Sequence, residues 1–290
     1  MMNNKIVVLV YFLLLISCTT SNSQEKKQST QEYTMPNTEI LYLGSKINEI
    51  DYKLYISYPE SYKDSTTKKY PVLYLLDADY SFAIAKNIAD HLSQRNHLKE
   101  IIIVGIAYAD SNQYRVNRTR DYTPINSKEN VWFTDIQEKY SGGGVSFSNF
   151  IEKELIPFVE KEYRTTDFRA LTGHSYGGLF TSWTMLTKPN LFNGYIIVSP
   201  SLWYNDKMMF RIKDSLDQIK NTTKVYCTVG EREANNQWNM PEDLKRFVEN
   251  LNSRNIRKLN LKMEIGKNET HNSIFPSALS NGLRFVFNGI

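Results

Sequence analysis

Hydrophobic and polar positions fall into eight extended runs after about residue 38. They read EILYLG (39–44), YKLYISYP (52–59), YPVLYLLD (70–77), EIIIVGIAY (100–108), RALTGHS (169–175), GYIIVSP (194–200), KVYCTVG (224–230) and NLKMEIG (260–266). β-Branched and aromatic residues recur in them, as strands require. The first two are close together and alternate in character, which predicts a hairpin. Most of the others are unbroken apolar stretches, the pattern of strands covered on both faces.

Helical spacing appears between them. FSNFIEKELIPFVEKEY (147–163) repeats its apolar residues at helical intervals, with Pro157 marking a kink or a second start. PEDLKRFVENLNS (241–253) opens on Pro241 and acidic residues, a helix-start signature. Strands alternating with helices across 38–290 predict one α/β domain with a mostly parallel eight-stranded sheet, helices on both faces and the antiparallel hairpin at its start. The longest stretch expected to be irregular is 108–146, a length usually reserved for function or mobility.

One strand-to-helix junction carries candidate chemistry. RALTGHSYGGLF (169–180) contains Gly-x-Ser-x-Gly centred on Ser175. In that arrangement the serine sits on a sharp, strained turn, and glycines flank it because neighbouring segments leave no room for a Cβ. The hydroxyl would stand above the carboxyl ends of the strands, where open α/β sheets bind ligands. The N–H of Tyr176 would open the next helix facing a developing oxyanion. A glycine-rich turn that merely packs a helix on a sheet is the competing explanation.

A serine nucleophile needs a general base, and the base needs a carboxylate. In this fold their chain order is Ser, acid, His. His271, in the polar loop GKNETHNSIFP, is the one histidine after Ser175 and hence the candidate base. His174 is the x of the motif and is expected to point elsewhere. The run KVYCTVGEREANN offers Glu231 and Glu233 as the acid. Glu233 is preferred because it lies a short turn beyond the strand end, with Asp243 a third choice. The second oxyanion donor should come from the loop after the third strand, where the backbone N–H of Asp79 is the candidate with its carboxylate turned away.

The chain has 290 residues and a formal net charge of +4 with no basic block, which argues against a nucleic-acid partner. The four histidines show no metal-ligand spacing, and no cofactor is implied. Cys227 lies in a strand-like run and reads as a core thiol. Before the first strand, residues 1–17 read as a lipoprotein signal peptide: a short positive start, an apolar run too short to span a bilayer, and LISC ending at Cys18. Cys18 would be lipidated and 18–37 would be a flexible tether, giving an envelope location, with the outer membrane favoured and contact with the membrane only through the anchor.

YPVLYLLDADYSF, RTRDYTP, EKEYRT with RALTGHSYGGLF, VSPSLWYND, VGERE and ETHNSIFP occur in that order. Together they resemble the esterase family of the α/β-hydrolase superfamily, which includes ferric-siderophore, feruloyl and acetyl-xylan esterases, S-formylglutathione hydrolase and mycolyltransferases. The resemblance spans residues 38 to 290, and SPSLW and RDYTP are closest to the siderophore-esterase branch. It implies a triad of Ser175, Glu233 and His271, with oxyanion N–H groups from Tyr176 and Asp79. The family's LLDG is LLDA here, with Ala78 in place of the glycine.

Four further residues are candidate substrate contacts: Trp203 and Tyr204 for an aromatic acyl group, Arg118 and Arg120 for an anionic one. Core packing and structural pairing, respectively, are the alternatives. The expectation is a monomeric serine carboxylic-ester hydrolase that works through an acyl-enzyme, with ferric siderophore esters or lactones implied as substrates. Feruloyl or acetyl carbohydrate esters, acyl transfer, and a catalytically inactive binding lipoprotein are the alternatives. For the anchor, the expected outcome is that Cys18→Ser leaves the detergent phase in a partitioning experiment; unchanged partitioning would count against lipidation.

Overall fold

The computed structural model describes residues 31–128, 134–235 and 237–290. The expected signal peptide, Cys18 and most of the expected tether lie outside the described residues. The body of the chain is Pro36–Ile290.

All eight expected strands form: β1 (Thr38–Gly44), β2 (Asp51–Ser57), β3 (Tyr70–Leu75), β4 (Ile102–Tyr108), β5 (Thr165–His174), β6 (Gly194–Val198), β7 (Thr223–Gly230) and β8 (Leu259–Gly266). They make one sheet in the order β1-β2-β4-β3-β5-β6-β7-β8. The β1–β2 hairpin is antiparallel, and so is the β2–β4 pairing; every later pairing is parallel. The pattern follows burial. Every residue of β3, β4 and β6 is buried, whereas the edge strands β1 and β8 alternate.

The helices are α1 (Ala78–Ser93), α2 (Tyr114–Tyr122), α3 (Thr134–Tyr140), α4 (Gly144–Phe150), α5 (Ile156–Glu162), α6 (Tyr176–Thr187), the single turn α7 (Tyr204–Lys207), α8 (Met240–Ser253) and α9 (Ile274–Phe287). α1 and α9 pack together on one face of the sheet; α6, α8 and the α4–α5 pair cover the other. Of the two expectations for Pro157, the second start is the one that forms. Ile151–Leu155 is a π-helical turn, and Pro157 lies in the first turn of α5. Proline has no N–H to give the carbonyl four residues back, and a widened turn absorbs that loss. Cys227 is a buried free thiol whose pKa burial pushes up to about 12.

The expected irregular stretch is corrected. Much of 108–146 is α2, α3 and the start of α4. Periodicity missed α2 because polar contacts bury it. Asp121 accepts from Tyr52 Oη at 2.8 Å and from Arg120 Nε at 2.7 Å, and Tyr122 Oη takes the Asp77 N–H at 3.0 Å.

Where β5 meets α6 there is no space to spare. A Cβ on Gly173 would stand 2.3 Å from the Gly177 carbonyl oxygen, which is backbone and cannot swing away. Gly173→Ala should therefore cost about 1–3 kcal/mol of folding stability or more. Chemical denaturation checks this; an unmoved midpoint would refute the close approach.

Candidate active site

Ser175 caps α6 with φ 62° and ψ −117°, a conformation that costs a non-glycine residue about 1–3 kcal/mol. The turn is held by backbone hydrogen bonds: Ser175 N–H to Val198 O at 3.0 Å, and Leu179 N–H and Ser201 N–H to Ser175 O at 2.9 and 3.2 Å. Its hydroxyl lies 3.5 Å from Ser201 Oγ. It opens into a cleft of about 790 Å³ at the carboxyl ends of the strands, shared by His174, Tyr176, Trp203, Glu233 and His271. A larger open depression of about 1510 Å³ lies at the opposite ends of the strands, near Tyr70, Thr166 and Lys224, and holds none of these side chains.

The candidate base and acid meet. His271 Nδ1 is 2.6 Å from Glu233 Oε2, and the carboxylate is buried while the imidazole is about one-third exposed. Glu233 Oε1 takes two further hydrogen bonds, from Ser199 Oγ and from the Gly230 N–H, both at 2.6 Å. Burial alone would raise the Glu233 carboxyl; the hydrogen bonds from His271, Ser199 and Gly230 outweigh it and hold the group below its usual range. The other two acids do not reach. Glu231 is exposed and accepts from the Asn268 N–H at 2.8 Å. Asp243 is corrected to a structural role: it is buried in α8 and paired with Lys207 Nζ at 2.6 Å.

On the other wall, Asp77 follows β3 and caps the start of α1 in the left-handed region at φ 55°. Its carboxylate is almost fully buried and takes a fork from Arg118, Nε to Oδ1 at 2.7 Å and Nη2 to Oδ2 at 3.0 Å. Tyr114 Oη and Tyr80 Oη donate to the same carboxylate at 2.9 and 3.2 Å. Arg118 Nη2 also donates to the His174 carbonyl at 3.1 Å. Arg118 lines the cleft, but its charge is matched by Asp77. Ala78, where a glycine was expected, fits because Asp77 rather than Ala78 takes the left-handed conformation and because Gly105 faces its methyl group. Asp79 is the second residue of α1, where helix amides lack an intrahelical partner. Its carboxylate turns to Lys53 at 3.1 Å, as expected.

Two candidate contacts are corrected. Tyr204 is fully buried and donates to Ile125 O at 2.8 Å, so it belongs to the core behind the cleft. Arg120 pairs with its neighbour Asp121 and with Asn117 Oδ1, outside the cleft lining. Trp203 does line the cleft, stacked on Trp238 with centroids 4.6 Å apart. Trp238, Ser199 and Asp77 escaped the sequence reading. Ser199, in VSPSLW, and Asp77, in LLDA, sit within motifs already singled out, whereas NNQWNM gives no signal for Trp238. His174 does not point away from the cleft. Its ring packs 4.4 Å from that of His271, and its Nε2 meets the His271 carbonyl at 2.7 Å.

Residues 45–280 match the sequence family described as "Putative esterase". The ferri-bacillibactin esterase BesA of Bacillus subtilis is 28% identical over 268 residues, covering 89% of this chain and 92% of that one. A siderophore enterobactin esterase of Emericella nidulans is 26% identical over 272 residues, covering 82% and 89%. The crystal structure of the BES protein from Bacillus cereus superposes with a TM-score of 0.78 at 31% identity, covering 89% of this chain and 97% of that one.

The Arg118 fork generates a stability expectation. Arg118→Ala leaves a buried carboxylate without its cation and should cost about 3–5 kcal/mol. Arg118→Lys should recover only part, since an ammonium cannot make the fork. Urea midpoints check both; a loss below about 1 kcal/mol in Arg118→Ala would refute this.

Proposed function

The chain belongs to the esterase family, and we propose that it cleaves a carboxylic ester through Ser175, His271 and Glu233. The observation that carries this is the 2.6 Å contact between His271 Nδ1 and Glu233 in the cleft that Ser175 enters. Nδ1 donates to Glu233, so Nε2 is the nitrogen left to accept the Ser175 proton. As Oγ attacks the ester carbonyl, the proton passes to Nε2. Glu233 steadies the imidazolium that forms. The oxyanion is held by the N–H groups of Tyr176, the first residue of α6, and Asp79, the second of α1. His271 then gives its proton to the departing alkoxide, and the alcohol leaves an acyl-enzyme. Water attacks that ester while His271 takes its proton, the acid departs, and the Ser175 hydroxyl is restored.

The cleft supports an aromatic, anionic substrate. Trp203 and Trp238 form a stacked platform, Tyr80, Tyr176 and Phe275 add aromatic surface, and Arg115 and Arg232 lie on its lining. Flat rings gain from such platforms, and negative charge gains from guanidinium groups. Relatives named as ferri-bacillibactin and enterobactin esterases point the same way, so the substrate proposed is a ferric catecholate siderophore ester or lactone.

Ser175→Ala and His271→Ala should each lower kcat by roughly 10³–10⁶, with the double variant little worse than either. Glu233→Gln should lose on the order of 10²–10⁴, and Glu231→Gln less than about tenfold. Steady-state hydrolysis of p-nitrophenyl acetate checks the roles; a tenth of the wild-type rate surviving in His271→Ala would remove it as base. Competition between a ferric catecholate trilactone and a feruloyl sugar ester checks the substrate, and a higher kcat/KM for the sugar ester would overturn that half of the reading.

A further inference from the structure

We propose that His174 is a positioning residue, whose Nε2–H, donated to the His271 carbonyl oxygen, sets where the His271 imidazole stands over Ser175. This rests on the reading of Ser175 and His271 as nucleophile and base. A carbonyl can only accept, so the 2.7 Å contact fixes the Nε2–H tautomer of His174.

The topology gives that bond its importance. His271 sits in the loop after β8, an edge strand. Other ties of this loop run to the segment just after β7: Arg232 N–H to Glu269 O at 2.9 Å, Asn268 N–H to Glu231 Oε2 at 2.8 Å, and the Glu233 contact itself. His174 instead ends β5, the central strand that carries Ser175. The same strand thus holds the nucleophile and tethers the backbone of its base. His174 is itself held firmly. Its carbonyl takes Arg118 Nη2, its ring touches those of His271 and Phe275, and it is 7% exposed.

Packing alone would be served by any flat apolar ring. A histidine adds one donor, aimed at a backbone atom of the base. Burial, together with the neighbouring His271 and Arg118, pushes the His174 pKa down to about 3, so it stays neutral beside the imidazolium that His271 becomes. A neutral donor holds the loop without opposing that charge.

The test separates ring from donor. His174→Phe keeps an aromatic ring and removes the N–H. His174→Gln removes the ring and retains an amide N–H at comparable reach. With p-nitrophenyl acetate, His174→Phe should lower kcat roughly 10–100-fold, the scale of a misplacement of about 1 Å, while KM stays within about threefold. His174→Gln should return to within about fivefold of wild type. Wild-type kcat in His174→Phe overturns the proposal, since it would mean packing only, and so do equal losses in the Phe and Gln variants, which would mean that a retained N–H does not restore the base. If the Phe variant does not fold, His174→Met carries the same expectation. His271→Ala is the control. Retained turnover there refutes the triad, whereas an inactive His271→Ala beside an unimpaired His174→Phe refutes only the positioning role.

Discussion

The cleft depends on one buried ion pair. Asp77 caps the start of α1 in a left-handed conformation with its carboxylate almost out of solvent, a placement that is tolerable only because Arg118, Tyr114 and Tyr80 surround both oxygens. The Arg118 guanidinium continues to the carbonyl of His174. A single side chain therefore joins α2, the start of α1 and the end of β5. Without it the two helix starts that face the substrate would have no common reference.

The opposite wall is built on the same principle with a different group. Glu233 takes hydrogen bonds from the Gly230 N–H, from Ser199 and from His271. Two of these fix the carboxylate and the third orients the imidazole. The anion is thus fixed before any substrate arrives, and little reorganisation is left for the reaction step.

Much of this was legible in the sequence, and the limits have physical causes. The eight strands were readable because burial on both faces leaves unbroken apolar runs, as in β3, β4 and β6. The serine elbow was readable because crowding at Gly173 forbids any other residue. The helix α2 was not, since its buried side chains include Asp121, which hydrogen bonds rather than apolar spacing hold inside. Trp203 and Tyr204 could not be told apart by motif. Adjacent residues diverge, and only packing reveals that one meets the cleft and the other the core. Arg118 and Arg120 likewise share a motif, but each finds its own carboxylate, Asp77 or Asp121. His174 was misjudged because its partner is a backbone carbonyl 97 residues away.

The dihedral angles of Ser175 carry a last consequence. At φ 62° a glycine would be at ease and a serine is not. The hydroxyl is kept there against the local preference of the backbone, and the surrounding hydrogen bonds absorb the difference. Durability and turnover therefore pull in opposite directions at residue 175: the substitution that would relax the chain most is the one that abolishes its proposed chemistry.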